Sequence, residues 1–440
     1  MVKVLLIGNG AREHVMAEAL IKGGATICAF MSKKNPAIAR LCNDEIIIDN
    51  LSNFSAMIDY AKLNKVDFAI VGPEAPLVIG VANALQAQDI PTVGPTIECA
   101  QLEGSKIFMR SLLEKYKIES NIMFKQFKDM DEIKDFVHKI GKENVVVKPD
   151  GLTGGKGVKV WGDHLHSEED IYTYCNEIFD ENGRVIIEEK LDGEEFTYIC
   201  FVDGKNVVGT PLVQDNKRAY NGDEGPNTGG MGSYSMGDNL LPFVSKEDVS
   251  YANDQMHKVV AAIAEETKQE YKGILYGQFM KTQKGLKIVE FNIRFGDPEA
   301  MNILTIMKSN FVTVCQDILA GTLLKPLEFE QKATVCKYLV PEGYPVNPVS
   351  HSEIIVDKEA LEKIGAKLYY ASVSEENGKV YSSTSRAIGI IGIANTLSEA
   401  EKIAEEGTKF VSGALFHRTD IGTQEVLDKR IQHMENVLKE

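Results

Sequence analysis

Five short apolar runs, separated by helix-like segments, occupy residues 2–94, and they constrain the fold more than any other feature of the chain. The runs 2–7, 25–31, 45–48, 66–71 and 90–93 are rich in Val, Ile, Leu and Phe, whereas 12–22, 54–64 and 77–86 carry helical periodicity. Strands this apolar, alternating with helices, imply a parallel sheet covered on both faces. Sheets of that kind bind ligands outside the carboxyl ends of their strands. Here those ends read Gly8-Asn9-Gly10, Gly72-Pro73-Glu74 and Gly94-Pro95, so glycine stands wherever a ligand needs close backbone approach.

Beyond residue 101 the pattern changes. A helix over 106–116 precedes a βαβ stretch (122–127, 131–140, 144–148) and a glycine-rich loop. Next come a strand at 158–161, a helix at 168–179, and strands at 184–190, 195–202 and 207–213. The turn-rich segment 214–237 leads to a helix at 246–266, strands at 274–281 and 286–292, and helices at 299–308 and 311–320. After Gly321 the alternation stops, and 333–340, 367–373, 379–383 and 388–393 read as antiparallel strands closed by a helix over 397–411. The division expected is an α/β chain of three regions, 1–101, 102–325 and 326–440.

Charge excludes several functions. Forty-eight Lys and Arg against 64 Asp and Glu give −16 over 440 residues, which disfavours nucleic acids and anionic membranes as partners. Any phosphate must then be held locally, by backbone amides and a few placed cations. No apolar run approaches the ~20 residues a membrane span needs, and residues 1–7 are too short for a signal-peptide core. Seven scattered cysteines with no CxxC pair read as small buried hydrophobes of a reducing compartment, so the expected location is cytoplasmic.

Gly8-Asn-Gly-Ala-Arg-Glu-His14 imitates a dinucleotide fingerprint, but Glu13 stands at the third glycine position, and Ser32-Lys33-Lys34 stands where a ribose-binding acid belongs. That disfavours an NAD oxidoreductase, while the helix start could still offer amides to one phosphate, with Arg12 as cation. Lys148-Pro-Asp150-Gly-Leu-Thr-Gly-Gly-Lys156-Gly157 is no Walker A loop, because Lys156 is followed by glycine. A strand ending in lysine and a glycine loop suit a flap over a nucleotide triphosphate; the plainer alternative is a solvated hairpin. Acidic Glu188-Glu189 and Glu194-Glu195 could meet an adenine amino group and ribose hydroxyls, although alone they read as a solvated hairpin. His164-x-His166 has metal-like spacing but reads as solvated.

The densest chemistry lies at residues 288–299. On a strand, Glu290, Asn292 and Arg294 share one face. A carboxylate beside an amide oxygen suits a hard divalent cation bridging nucleotide phosphates, Gln278 on the preceding strand could add a third oxygen, and Arg294 could clamp a transferring phosphoryl group. The cationic, glycine-rich segment 215–232 suits a site closing over an anion.

GNGAREH (8–14), VGPEAPL (71–77), GPT (94–96), AQLEGSK (100–106), the glycine loop, QDNKRAYNGDEGPNTGGMG (214–232) and VEFNIRFGDPE (289–299) occur in one order over the whole chain. In this the chain resembles the glycinamide ribonucleotide synthetases (phosphoribosylamine–glycine ligases) of the ATP-grasp superfamily. The resemblance implies a Rossmann-like N-terminal domain, an ATP-grasp domain with a mobile lid at about 120–190, and a small C-terminal β-rich domain. It implies ligation of glycine to 5-phosphoribosylamine through glycyl phosphate in purine biosynthesis, with ATP cleaved to ADP and phosphate. The alternative is a sister purine-pathway ATP-grasp carboxylate–amine ligase, and a non-catalytic nucleotide-binding regulator would leave the Glu290–Asn292–Arg294 face without a purpose.

By the same resemblance, Lys106, Lys148 and the loop residues Gly154, Gly155 and Lys156 face ATP phosphates. Glu188 and the backbone at Lys190–Leu191 hold adenine, and Glu195 holds ribose. Gln278, Glu290 and Asn292 ligate Mg²⁺ or Mn²⁺. Arg294 and Asp297 are catalytic, with Gly296 beside glycine and the acyl phosphate. Gly8, Asn9, Gly10, Arg12, Gly72, Pro73, Glu74, Asp215 and Lys217 face the phosphoribosyl substrate. A monomer is expected. Two places depart from the family: Pro149 with Thr153-Gly154 replaces Ala-type residues, and Gly413-Ala-Leu-Phe-His-Arg418 matches loosely.

Overall fold

A computed structural model describes residues 1–154, 157–181 and 183–439. The N-terminal sheet is parallel throughout, in the order Ile46–Ile48, Thr26–Met31, Lys3–Ile7, Phe68–Val71, Thr92–Val93. The order reverses beside Lys3–Ile7, which places a crevice at Gly8 and Gly72, as expected for an open α/β sheet. The helix expected over 77–86 is instead two, Glu74–Val78 and Val81–Gln86. Gly80 separates them at φ 93°, a left-handed conformation that ends one helix and starts another.

The stretch 122–148 is a split βαβ rather than a continuous one. Phe124–Phe127 and Val145–Pro149 run parallel, but Val185–Glu189 inserts between them and pairs antiparallel with both. Together with Lys159–Val160 these strands form one four-stranded sheet, backed by the helices Ile133–Ile140 and Glu168–Asp180. Phe127, Val147, Ile171 and Ile187 pack in a core of their own there, separate from the main one. A layer with its own core and few covalent links can move as a unit, which is what a lid requires.

Under the lid lies an antiparallel sheet, Val207–Gly209, Glu194–Asp203, Lys272–Thr282, Gly285–Asn292, buttressed by the helix Lys246–Thr267. Ser245 starts that helix with a capping box to Asp248. The C-terminal strands do not stand apart from this region. Gln214–Asp215 and Gly232–Ser235 join Ala333–Pro341, Ile388–Ala394 and Lys367–Tyr370 in one sheet, so residues on both sides of position 325 share it. Among the elements not anticipated are the helices Pro36–Leu41 and Lys358–Ile364, the strand Glu353–Val356 and the closing helix Gln424–Val437.

His14 joins the first helix, Ala11–Lys22, to this last region: the Tyr370 amide donates to its Nδ1 at 3.0 Å, and the Tyr369 ring stands edge-on to it. Burial, with Arg40 and Lys358 nearby, lowers its pKa to about 3 and keeps the ring neutral. All seven cysteines are buried and unpaired, and burial pushes the Cys28, Cys42 and Cys175 thiols up to about 12. Among the described residues no helix is long and apolar enough to cross a membrane.

Candidate functional site

The lid, the body sheet, the N-terminal crevice and the 214–232 loop converge on a cleft of about 700 Å³. Its floor is the strand Gly285–Asn292. Gln278 pairs with Glu290 across the sheet, and the register then skips Val289, so that Phe279 faces Ile288. Such an irregularity re-aims the side chains beyond it. Glu290, Asn292 and Arg294 all line the cleft, together with Val289 and the buried Phe291, while Ile293 is buried away from it.

The three differ in what holds them. No ion pair or hydrogen bond ties the Glu290 carboxylate or the Asn292 amide to another described side chain, so their oxygens are open to the cleft. Arg294, in contrast, is clamped: Nε donates to Glu74 at 3.1 Å and Nη2 to Glu103 at 3.0 Å. Burial pushes the Glu103 carboxyl up to about 7. For Glu74 burial is outweighed by Arg294 and Arg12, which hold it at about 2. The guanidinium therefore sits between one firmly ionised carboxylate and one close to titration.

Gln278 is placed opposite Glu290, but its oxygen already accepts from the Thr197 hydroxyl at 3.1 Å and from Tyr276. It is buried and does not line the cleft, so the floor offers two oxygen donors, not the three expected. Its amide donates to Glu195 at 2.8 Å, and Lys217 donates to the same oxygen at 2.9 Å. Glu195 and Lys217 do face the cleft. Despite burial, Lys217 and these hydrogen bonds keep the Glu195 carboxyl below its usual range.

On the lid side Lys148 and Gly154 line the cleft, while Gly155 and Lys156 lie outside the described residues. Lys106, from the helix Lys106–Lys115, donates to the Gly151 carbonyl at 2.6 Å. Asp150 accepts from Ser105 at 2.9 Å and from the Ile107 amide at 3.1 Å, pinning the start of the glycine loop to that helix. Glu188 departs from its expected role. Its carboxylate is turned inward to Arg110 (2.8 and 3.2 Å) and Lys148 (2.7 Å), 2 % exposed, and is not part of the cleft wall. The Lys190 amide is likewise engaged, donating to Asn144 O at 2.8 Å, and its ammonium donates to the Trp161 carbonyl at 2.9 Å. Leu191 begins the turn back to the body strand Glu194–Asp203.

The N-terminal turn is also filled from within. Glu13 accepts from the Gly10 amide at 2.5 Å and from Arg12 at 2.6 Å. A Cβ on Gly72 would collide with the Glu13 carboxylate, and one on Gly8 would meet Glu13 and Pro73, so these glycines make room for a protein side chain. Asn9 accepts from the Ser32 amide and hydroxyl, at 3.1 and 2.8 Å. Arg12 and Glu74 reach the cleft; Gly8, Asn9, Gly10, Gly72 and Pro73 stand behind them.

Asp215, Gly296 and Asp297 close the far end. Burial and the neighbouring Glu299 raise the Asp215 carboxyl well above the usual range. Asp297 accepts from the Tyr338 hydroxyl at 2.5 Å. Two arginines that sequence reasoning missed complete the wall. Arg386 donates to the carbonyls of Gly229 (2.6 Å), Gly230 (3.1 Å) and Asp297 (2.6 Å) and lies over the Tyr338 ring. Arg430, on the helix Gln424–Val437, pairs with Glu194 at 3.0 Å and Asp223 at 3.1 Å, and its buried Nε has no partner. Neither sits in a recognisable motif, because each reaches the site from a region whose sequence pattern shows only packing.

Three family models tile the chain: the N domain of phosphoribosylglycinamide synthetase over residues 2–103, its ATP-grasp (A) domain over 104–300 and its C domain over 334–424. The chain belongs to the phosphoribosylglycinamide synthetase family. It is 50% identical to the phosphoribosylamine–glycine ligase of Methanocaldococcus jannaschii, covering 98% of this chain and 99% of that one. To the enzyme of the same name from Pyrococcus abyssi it is 47% identical, covering 100% and 98%. The crystal structure of a Thermotoga maritima phosphoribosylamine–glycine ligase superposes with a TM-score of 0.80 at 28% identity, over 95% of this chain and 100% of that one. A biotin carboxylase from Campylobacter jejuni shares the fold alone, with a TM-score of 0.73 at 13% identity over 100% and 99%. The family read from the motifs, its α/β ATP-grasp architecture and its class as ATP-dependent ligases are borne out.

Proposed function

We propose that this chain joins glycine to 5-phosphoribosylamine, cleaving ATP to ADP and phosphate, as the names of its relatives describe. The observation that carries the reading is the open pair Glu290–Asn292 beneath a glycine-loop lid, in one cleft with Lys106, Lys148, Arg294 and Asp297.

An amine does not displace hydroxide from a carboxylate at a useful rate, so the glycine carboxylate must be activated. Transfer of the ATP γ-phosphoryl group to it gives glycyl phosphate and ADP. The phosphoribosylamine nitrogen then attacks the carbonyl, phosphate leaves, and the amine loses a proton. Lys106 and Lys148 supply positive charge beside the glycine loop, and Arg294, held from behind by Glu74 and Glu103, presents a fixed cation to the transferring group. No protein nucleophile is needed.

Two hard oxygen donors, with no described protein cation in ion-pair contact, fit a divalent ion shared with nucleotide phosphates, Mg²⁺ or Mn²⁺. Among the described residues no cluster of three acidic, His or Cys side chains could hold one without the nucleotide. When bound, such an ion neutralises phosphate charge. Because glycyl phosphate hydrolyses readily, the lid must exclude water. Arg218 of the 214–232 loop pairs with Asp163 of the lid and holds it against the body.

Incubation with ATP, Mg²⁺, phosphoribosylamine generated in situ and a panel of amino acids tests the reading. ADP and the glycinamide product should form with glycine alone. ADP release without glycine, or equal use of another acid, overturns it.

A further inference from the structure

The segment that matched its family most loosely, residues 413–418, ends in a side chain with more partners than any motif predicts. Arg418 is 1 % exposed. Its Nε and Nη2 donate to Asp420 at 2.8 Å each, and its Nη1 donates to Asp223 at 2.7 Å and to the Arg218 carbonyl at 3.1 Å. The contact continues along both chains. Asn221 and Thr419 exchange two hydrogen bonds, at 2.7 and 3.1 Å, and the Gly222 amide donates to Asp420 at 2.8 Å. Residues 418–420 thus grip the tip of the 214–232 loop from almost two hundred positions away.

That tip needs a grip. Arg218–Tyr220 and Glu224–Asn227 form a ribbon of only two strands, attached to no larger sheet, and a lone two-stranded ribbon is marginal in water. The clamp itself is anchored in the C-terminal sheet. Lys337, fully buried on the central strand of the C-terminal sheet, donates to Glu401 (2.7 Å), Glu405 (2.6 Å) and the Thr419 carbonyl (2.8 Å). At the base of the ribbon stand Asp215 and Lys217, which face the cleft, and Arg218, which meets the lid.

We propose that Arg418, Thr419 and Asp420 are positioning residues that lock the 214–232 loop in the shape presenting Asp215 and Lys217 to the acceptor substrates. Resting on the ligase reading above, the clamp acts chiefly on the amine and glycine side of the reaction, and meets the nucleotide side only through the Lys217–Glu195 and Arg218–Asp163 pairs. It touches no residue of the Lys106–Lys148 wall.

Two variants test it, Arg418→Lys, which keeps the charge but loses the planar fork that grips both Asp420 oxygens while Nη1 reaches Asp223 and the Arg218 carbonyl, and Asn221→Ala at the exposed tip, which leaves the buried network intact. Amide hydrogen exchange over residues 216–228 should quicken by about ten-fold or more in Arg418→Lys and by about three-fold in Asn221→Ala. In step with that, kcat/KM for phosphoribosylamine should fall by about ten-fold and about three-fold, while the ADP dissociation constant stays within about two-fold. Unchanged exchange in both variants overturns the proposal, as does ADP affinity falling in parallel with kcat/KM. If Arg418→Lys does not fold, Asn221→Ala decides alone. If the wild type makes no product from glycine, the ligase reading fails, whereas the exchange result still tests the clamp.

Discussion

Glu188 in the lid sheet and Glu290 in the body sheet are both strand carboxylates, and the protein treats them in opposite ways. Glu188 is buried between Arg110 and Lys148. Glu290 has no described cation within ion-pair distance and opens to the cleft. The two are connected, because the same Arg110 that holds Glu188 donates to the Ile288 and Val289 carbonyls at 2.9 Å each, just ahead of Glu290. One carboxylate thus builds the wall that keeps the other in place. A sequence motif shows that both residues are acidic; only the placement of the cations shows which one has charge left over for a ligand.

The largest expected effect breaks the open member of the pair. Glu290→Gln keeps the shape and removes the charge, so turnover should fall by at least about 10³-fold. Melting temperature should hardly move, since no described protein cation loses its partner. The stimulation of nucleotide binding by Mg²⁺ should vanish as well. A Glu290→Gln protein that turns over normally, or one that melts much earlier, would show that the two carboxylates are not opposites after all.

Breaking the closed member should do the reverse. Glu188→Gln leaves the fully buried Arg110 without its counter-charge and with one of its two hydrogen bonds to that side chain, and removal of one side of a buried ion pair costs about 3–5 kcal/mol. Denaturant unfolding measures this directly. The double variant Glu188→Met, Arg110→Met should recover part of the loss but not all of it, because the Ile288 and Val289 carbonyls then lack a donor. Mg²⁺-dependent nucleotide binding should persist in Glu188→Gln. Its disappearance would mean that Glu188 turns outward to the ligand, the adenine-binding role that family resemblance implies for it.

Much of the architecture was legible because periodicity reports packing. The five parallel strands, the long helix at 246–267 and the row Glu290, Asn292, Arg294 follow from alternation and from what each face must bury. Pairing over distance was not legible. Nothing local says that Val185–Glu189 slips between two strands that precede it, or that the Gln278 oxygen is taken by Tyr276 and Thr197. A further demand on Gly8 and Gly72 was not legible either: besides any ligand, the close neighbour that forbids a Cβ there is Glu13. Arg386, Arg418 and Arg430 were invisible for a related reason. Each acts on carbonyls and carboxylates brought close only by the folded C-terminal region, and an isolated arginine among packing residues carries no spacing to recognise.

The smallest effect concerns protons and sharpens the same comparison. Burial alone would raise the Glu188 carboxyl, but Arg110 and Lys148 outweigh it and hold the group at about 2. An unfolded glutamate titrates near ~4.3. Between those values the unfolded chain binds the proton and the folded chain does not, so stability must fall as pH falls. The contribution is complete above about pH 5, shrinks through pH 4 and 3, and amounts to about 3 kcal/mol in all. His14, neutral when folded with a pKa of about 3, adds acid sensitivity of the same sign that starts higher, below about pH 6.5. The wild type alone therefore cannot separate the two, but the variant can. Subtracting the pH profile of Glu188→Gln from that of the wild type removes His14 and leaves a difference that is flat above about pH 5 and closes toward about pH 2. A difference that is flat with pH would show that Glu188 carries a proton in the folded state, and that the charge on the wall behind Glu290 is not the one described above.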